Sequence, residues 1–319
     1  MSFKLCCIHL TMQQNLQKTI KDPVQLEGVG LHNGIKVNIC LKPAKINYGI
    51  KFKRTDVEDS RSIIDANYKN VNSPILCTKI KNSHGISVST IEHLMAAFYG
   101  EGIDNVLVEV DAPEIPIMDG SSFDFVEAIR SVGLEEQNSP KRFIKVLKKV
   151  EVKDGPKYIS IESLKEDLII DFEIVYSNPL IRSRRREFKL SNCDLTSIYN
   201  SRTFCLYEDI DQIRSMGLAK GGSLENAIVV KDSKILNDDG LRHRHEFVEH
   251  KILDCMGDLM LSGYRIFGHI KTSQGGHQLT SLLLNKLLSE QSNWELVTLS
   301  EKQKNQKKSQ YNSPIAVNA

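Results

Sequence analysis

Several classes of protein are excluded by what the sequence does not contain. No apolar run approaches the roughly 20 residues of a membrane-spanning helix. The start, Met1 to Leu10, has too short an apolar core and no small-residue cleavage site for a secretory signal. The seven cysteines, Cys6, Cys7, Cys40, Cys77, Cys193, Cys205 and Cys255, are odd in number and form no C-x-x-C pair. Neither a disulfide framework nor a thiolate zinc site is therefore indicated, and most of the thiols are expected as reduced core residues. A charge excess is missing too: 42 basic against 40 acidic side chains leave +2, so nothing global predicts nucleic-acid binding. What remains is an ordinary globular chain of 319 residues, 40% hydrophobic and 26% charged, expected in the cytoplasm and long enough for two domains.

The most informative stretch runs from Glu246 to Asp258. At helical period Phe247, Leu253 and Met256 supply apolar positions, while His250, Asp254 and Asp258 recur every fourth residue and stack along one face. An imidazole and a carboxylate one turn apart on a rigid rod can share a metal ion, for the reason that zinc proteases space two histidines in H-E-x-x-H. A solvated His–Asp pair is the alternative, but Ile252, Leu253, Cys255, Met256 and Leu259 crowd the flanks of this face. Polar groups inside an apolar helix need partners.

Earlier in the chain, Val24–Glu27 and Lys36–Leu41 read as strands of an antiparallel meander, with Asn33-Gly34 as a hairpin signal and His32 near the turn, structural or ligand-lining. Ile50–Lys53 and Ile75–Thr78 are strand-like as well. A helix follows from Ser89 to Phe98, with Ser89 or Thr90 expected as its cap and Glu92 and His93 in its first turn. Adjacent residues project about 100° apart on a helix, so Glu92 and His93 suit different tasks: one ligates and the other reaches water at the metal. After the strand Val106–Val110, Asp119-Gly120 marks a turn, Ser121 or Ser122 caps a helix from Phe123 to Val132, and polar residues 133–140 read as a boundary. New strands begin at Phe143.

The two halves repeat each other faintly. Glu92-His93 and Glu249-His250 each open a helix, a strand and a second helix, and 249 − 92 and 250 − 93 both give 157. An internal duplication in an α+β fold follows, each copy a strand layer backed by helices, with His93 and His250 facing one another across the domain interface. Leu206 to Met216, with Ile210 and Ile213 on one face, interrupts the second copy; it reads either as the wall of a lipid-sized groove or as a small satellite core.

Taken together, Thr90-Ile91-Glu92-His93-Leu94, Gly102-Ile103-Asp104-Asn105, Pro113 to Gly120, Arg202-Thr203-Phe204, His250-Lys251-Ile252-Leu253-Asp254 with Gly257-Asp258-Leu259, and Gly276-His277 resemble the bacterial UDP-3-O-acyl-N-acetylglucosamine deacetylase (LpxC) family. The likeness runs from about Thr19 to Leu299. It implies two topologically repeated α+β domains with the active site at their interface, and hydrolytic removal of acetate from UDP-3-O-(3-hydroxyacyl)-N-acetylglucosamine, the committed step of lipid A synthesis. It also implies Zn2+ held by His93, His250 and Asp254, Glu92 as general base, and His277 as acid or cationic stabiliser. Asp258 would orient His277, Thr203 would donate to the oxyanion, and Lys251 would contact substrate. Phe204, Leu206, Ile210, Ile213 and Met216 would line an acyl passage. The family commonly has a basic residue close before the Gly-His pair, where this chain has Gln274.

The expected division is an extension over 1–18, a first domain over 19–136, a second over 141–299 with an insertion at about 205–232, and a disordered tail over 300–319. A monomer is expected, with transient contact with the inner membrane surface to collect its lipid substrate. His243 and His245, flanked by Arg242 and Arg244, read as a solvated turn and not as ligands, and Arg182, Arg184, Arg185 and Arg186 as a solvated basic loop. The alternative to the zinc amidohydrolase is a non-catalytic protein of the same fold that binds a nucleotide-sugar lipid or a metal. Such a protein has no reason to keep Glu92, Thr203, Asp258 and His277 beside three ligands.

Overall fold

The computed structural model describes residues 16–58, 61–192 and 194–298. Cys6, Cys7, Cys193, residues 1–15 of the expected extension and the whole of the expected tail lie outside them. The described residues form six α-helices: α1 (Glu92–Glu101), α2 (Phe123–Val132), α3 (Thr196–Tyr199), α4 (Ile210–Ser215), α5 (Glu246–Leu259) and α6 (His277–Ser289). Among the described residues no helix is long and apolar enough to cross a membrane.

Two sheets repeat one strand order. In the first, Val24–Val29, Lys36–Pro43, Val106–Val110, Ile50–Arg54 and Ile63–Asp65 lie side by side. Two hairpins are splayed, and the later strand Val106–Val110 fits between them, antiparallel to Lys36–Pro43 and parallel to Ile50–Arg54. In the second, Val150–Asp154 pairs with Lys157–Glu162 and Leu168–Ile174 with Arg184–Lys189. Arg265–Ser273 enters between them in the same two senses. The fold is thus α+β with a duplicated strand layer. The second copy is extended by Arg142–Val146 and Trp294–Thr298. Alternation sets the buried face of each strand: Val37, Ile39 and Leu41 point inward, as do Leu168, Ile170, Phe172 and Ile174.

Helices α1 and α5 pack between the layers with their backbones nearly touching. A Cβ built on Gly257 would stand 2.0 Å from the carbonyl oxygen of Glu92 and 3.0 Å from the nitrogen of Ala96, so only glycine allows this crossing. Every residue of α5 except Lys251 is buried. Its charged side chains are accordingly paired: Glu246 with Arg202 at 2.8 Å, Glu249 with Arg186 at 3.0 Å.

Several local expectations are corrected. The stretch Ile75–Thr78 forms no strand; Leu76 has φ +63° and Ile75 and Leu76 are exposed, so their apolar run is a turn facing solvent. Ser89 and Thr90 do not cap α1: its N-cap is Ile91, without a side-chain bond, because the Thr90 hydroxyl is engaged elsewhere. Ser122 does stand at the N-cap of α2, as expected, but its hydroxyl donates to the carbonyl of His93 at 2.7 Å, and it is Ser121 Oγ that accepts from Phe123 N at 3.1 Å. Polar residues 134–140 are a strand, Leu134–Pro140, paired antiparallel with Leu16–Ile20, which takes in the last three residues of the stretch read as an extension. This two-stranded ribbon is exposed along much of Leu134–Pro140, so no apolar alternation announces it. Between the first two strands the connection spans Gly30 to Ile35, longer than a two-residue turn.

Candidate active site and metal centre

The crossing of α1 over α5 sets the second residue of one helix against the middle of the other. His93 Nε2 and His250 Nε2 each lie 3.5 Å from the same oxygen, Oδ1 of Asp254. The two imidazoles meet edge to face with ring centroids 5.0 Å apart. All three side chains are buried, and their donor atoms lie within 4.8 Å of one another. Donors on a tetrahedral ion with bonds of about 2.0–2.2 Å stand roughly 3.3–3.6 Å apart, so the spacing fits.

The hydrogen bonding points the same way. Asp254 Oδ1 is buried and accepts no hydrogen bond, which is costly for a carboxylate unless a cation occupies that direction. Its other oxygen accepts from Lys251 Nζ at 2.9 Å. His250 Nδ1 lies 3.0 Å from the carbonyl of Ser201; donating there fixes the tautomer and leaves the Nε2 lone pair facing Asp254. Burial pushes His250 down to about 3, so it is neutral and ready to ligate. For Asp254 burial acts upward, but His250 and Lys251 outweigh it and hold the carboxyl well below its ordinary range. The residues present therefore fit a divalent metal. A second group, Asp171, Glu187 and His269, has comparable spacing, but Arg185 already engages both oxygens of Asp171.

Beside the triad stands a proton-handling pair. Glu92 Oε1 lies 3.7 Å from His277 Nε2, and Glu92 Oε2 accepts from the backbone nitrogen of Thr78 at 3.0 Å. His277, the first residue of α6, presents Nδ1 to Asp258 Oδ2 at 2.8 Å. Burial raises the Glu92 carboxyl, against the opposing pull of His277 and His93. Burial would lower His277, but Asp258 and Glu92 prevail and raise it to about 10. The imidazole is thus a cation at neutral pH with one nitrogen anchored and the other aimed at the base.

The remaining expected residues are placed less centrally. Thr203 is half-buried; its nitrogen donates to Gly120 O at 2.7 Å and its carbonyl accepts from Ile228 N at 2.8 Å, which fixes its backbone between the Asp119-Gly120 turn and the strand Ile228–Lys231. Phe204 packs on Phe247 with centroids 4.9 Å apart and faces His250 at 6.3 Å, with Lys251 Nζ 5.5 Å above its ring. Leu206 ends the strand Phe204–Leu206, Ile210 and Ile213 lie on α4, of which no residue is buried, and Met216 follows it, 55% exposed. The insertion is a three-stranded sheet, Phe204–Leu206, Ile228–Lys231 and Lys234–Ile235, carrying that short helix. His243 Nε2 meets Ser201 Oγ at 3.0 Å and neither it nor His245 joins the triad. Three of the arginines read as a solvated loop, Arg184, Arg185 and Arg186, lie instead in a strand, where they donate to the Leu180 carbonyl, to Asp171 and to Glu249 respectively.

Reading the sequence alone missed Thr78, whose hydroxyl donates to Asp258 Oδ1 and lies 3.1 Å from His277 Nδ1. It missed the Ser201 carbonyl as well, since a backbone acceptor leaves no mark on residue type.

Comparison with known proteins bears on the same residues. A model of the LpxC family, described as UDP-3-O-acyl N-acetylglycosamine deacetylase, matches residues 17–289. The UDP-3-O-acyl-N-acetylglucosamine deacetylase of Shewanella violacea is 45% identical over 285 residues, covering 88% of this chain and 92% of that protein. The proteins of the same name from Pasteurella multocida and Haemophilus influenzae are 44% and 42% identical over 290 residues, covering 90% of this chain and 94% of each. With both helices of the metal centre, the His277 helix and nearly all of the duplicated layer inside that match, the chain belongs to the LpxC family, the UDP-3-O-acyl N-acetylglycosamine deacetylases.

Proposed function

We propose that this chain hydrolyses the acetamide of UDP-3-O-(3-hydroxyacyl)-N-acetylglucosamine, giving the free amine and acetate in the committed step of lipid A synthesis. The observation that carries the reading is the shared, otherwise unpartnered Asp254 Oδ1, 3.5 Å from two imidazoles and flanked by an acid–base pair. His93, His250 and Asp254 would hold Zn2+, which would supply Lewis-acid chemistry, lowering the pKa of water towards about 7 and polarising a carbonyl. Glu92 takes the proton of the attacking water. Its carboxylate is steadied by the Thr78 nitrogen on one oxygen and by the His277 imidazolium near the other. The same imidazolium, held by Asp258, gives its proton to the departing amine. Thr203 Oγ1 donates to the oxyanion as the carbonyl becomes tetrahedral.

Lys251 links substrate binding to the metal centre, since its ammonium already neutralises the far oxygen of Asp254 and sits above Phe204. Phe204, Leu206, Ile210, Ile213 and Met216 line the acyl chain's path. The first domain, which the ribbon of Leu16–Ile20 with Leu134–Pro140 extends to 16–140, and the second from 141, with its insertion at about 205–232, flank the site, one supplying Glu92 and His93 and the other His250, Asp254 and His277. The enzyme works as a cytoplasmic monomer that touches the inner membrane surface to collect its lipid-linked substrate. Mass spectrometry of the reaction with this substrate tests the reading: loss of one acetyl group is expected, and a substrate recovered unchanged by metal-loaded protein overturns it.

A further inference from the structure

The segment Pro113 to Gly120 is prominent in the sequence, yet the chemistry above does not use its one buried acid, Glu114. That side chain is 1% exposed. Among the described residues no lysine or arginine pairs with it. Its oxygens instead collect three donors: Oε1 accepts from the nitrogen of His32 and the hydroxyl of Thr90, each at 2.8 Å, and Oε2 accepts from the nitrogen of Asn33 at 2.8 Å. The backbone around it is tied to the same two places. Ser89 N donates to Pro113 O and Ile115 N donates to Ser89 O, both at 3.0 Å, while Ile117 N donates to Val29 O at 2.9 Å.

Thr90 is the informative contact. Its φ is +57°, a left-handed conformation that a β-branched residue rarely holds and keeps only where its surroundings over-determine it. It stands two residues before Glu92 and three before His93, so its conformation sets the direction in which α1 leaves. On the other side, a Cβ on Gly30 would come within 2.7 Å of Glu114 Oε2, so the His32 turn is packed tightly onto the same carboxylate.

We infer that Glu114 is a positioning residue: through the Thr90 hydroxyl it fixes the start of α1, and with it Glu92 and His93, against the turn that carries His32. This rests on the roles given to Glu92 and His93 above. A glutamine of the same shape keeps one acceptor oxygen for His32 N and the Thr90 hydroxyl and turns its NH₂ against Asn33 N, so the link from α1 to the turn is weakened at its turn end. Removing the Thr90 hydroxyl breaks the same link from its other end.

The test is a double-mutant cycle of Glu114→Gln and Thr90→Val on the full-length, metal-loaded protein, with Thr90→Ser as the conservative control. Zinc affinity is read by competition with a chelating dye in the absence of substrate, and kcat and KM are read per bound metal. Each single variant is expected to weaken zinc binding and lower kcat by about tenfold, the lower end of effects transmitted to metal ligands from outside their shell, with KM changed less than about twofold. The double variant should be no worse than the poorer single one, and Thr90→Ser should match the wild type. Wild-type zinc affinity and kcat in Glu114→Gln overturn the inference, and so do losses that simply multiply in the double variant. An inactive wild type would count against the deacetylase reading alone, since the dye measurement still decides this one.

Discussion

Gly257 lies against the carbonyl of Glu92 so closely that a methyl group there would stand 2.0 Å from the oxygen. The expected effect of Gly257→Ala is therefore a shift of α1 against α5, at a cost of about 1–3 kcal/mol for overpacking. Because His93 lies on one helix and His250 and Asp254 on the other, zinc affinity should fall together with Tm. Calorimetry with and without metal measures both. An alanine variant with unchanged zinc affinity would show that the helices have room to spare.

The metal assignment predicts about one zinc per chain, lost in His93→Ala, His250→Ala and Asp254→Ala, since each removes a third of the donors. His243→Ala and His245→Ala should keep it. Elemental analysis of the five purified variants decides the matter. Full occupancy in Asp254→Ala with none in His245→Ala would reverse the ligand set.

A bell-shaped dependence of kcat/KM on pH is expected, its acid limb reporting mainly Glu92 and its alkaline limb mainly His277. Burial raises Glu92, so the acid limb should lie above the ordinary glutamate value of about 4.3. His277, raised to about 10, should remain charged well above neutrality. Glu92→Gln should keep zinc and lose roughly 10²–10⁴ in rate, and His277→Ala should lose a similar factor and flatten the alkaline limb. An alkaline limb unchanged in His277→Ala would remove His277 from the role of acid.

The same shift affects folding. A histidine whose folded pKa exceeds its unfolded value contributes stability that is complete below about 6.5 and is lost as pH rises through about 10. Metal-free protein should accordingly lose stability across that window, and His277→Ala should lose less of it. Urea melts at several pH values test this, and equal slopes for the two proteins would contradict it.

For the insertion, exposure gives the cleanest variant. Met216 is 55% exposed, so Met216→Ser should leave Tm nearly unchanged. If it lines the acyl path, KM for a long-chain substrate should rise far more than for a short-chain one, each buried CH₂ being worth about 0.8 kcal/mol. Equal changes for both substrates would make the segment merely structural.

The parts of this molecule written in periodicity were legible from sequence. Helix α5 announces itself because its polar residues recur at helical spacing among apolar ones, and the strand Lys36–Pro43 alternates cleanly. Thr78 was illegible because it sits in an aperiodic turn and acts through a backbone nitrogen and a hydroxyl, and Glu114 because its partner Thr90 looks like a helix cap. The ribbon of Leu16–Ile20 with Leu134–Pro140 was hidden by its exposed and polar second strand, which has no core to face. The resemblance to a known family supplied roles that no single residue pattern carried, Thr203 above all.

His93 and His250 are 157 residues apart in the chain (250 − 93), yet their rings meet at 5.0 Å. The ligand set is therefore complete only after both strand layers have formed and α1 has crossed α5. An ion bound there interacts with the native state and little with what precedes docking, so its effect falls on the reverse rate. Zinc should act as a brake on unfolding, lengthening the lifetime of the folded chain without hastening its formation.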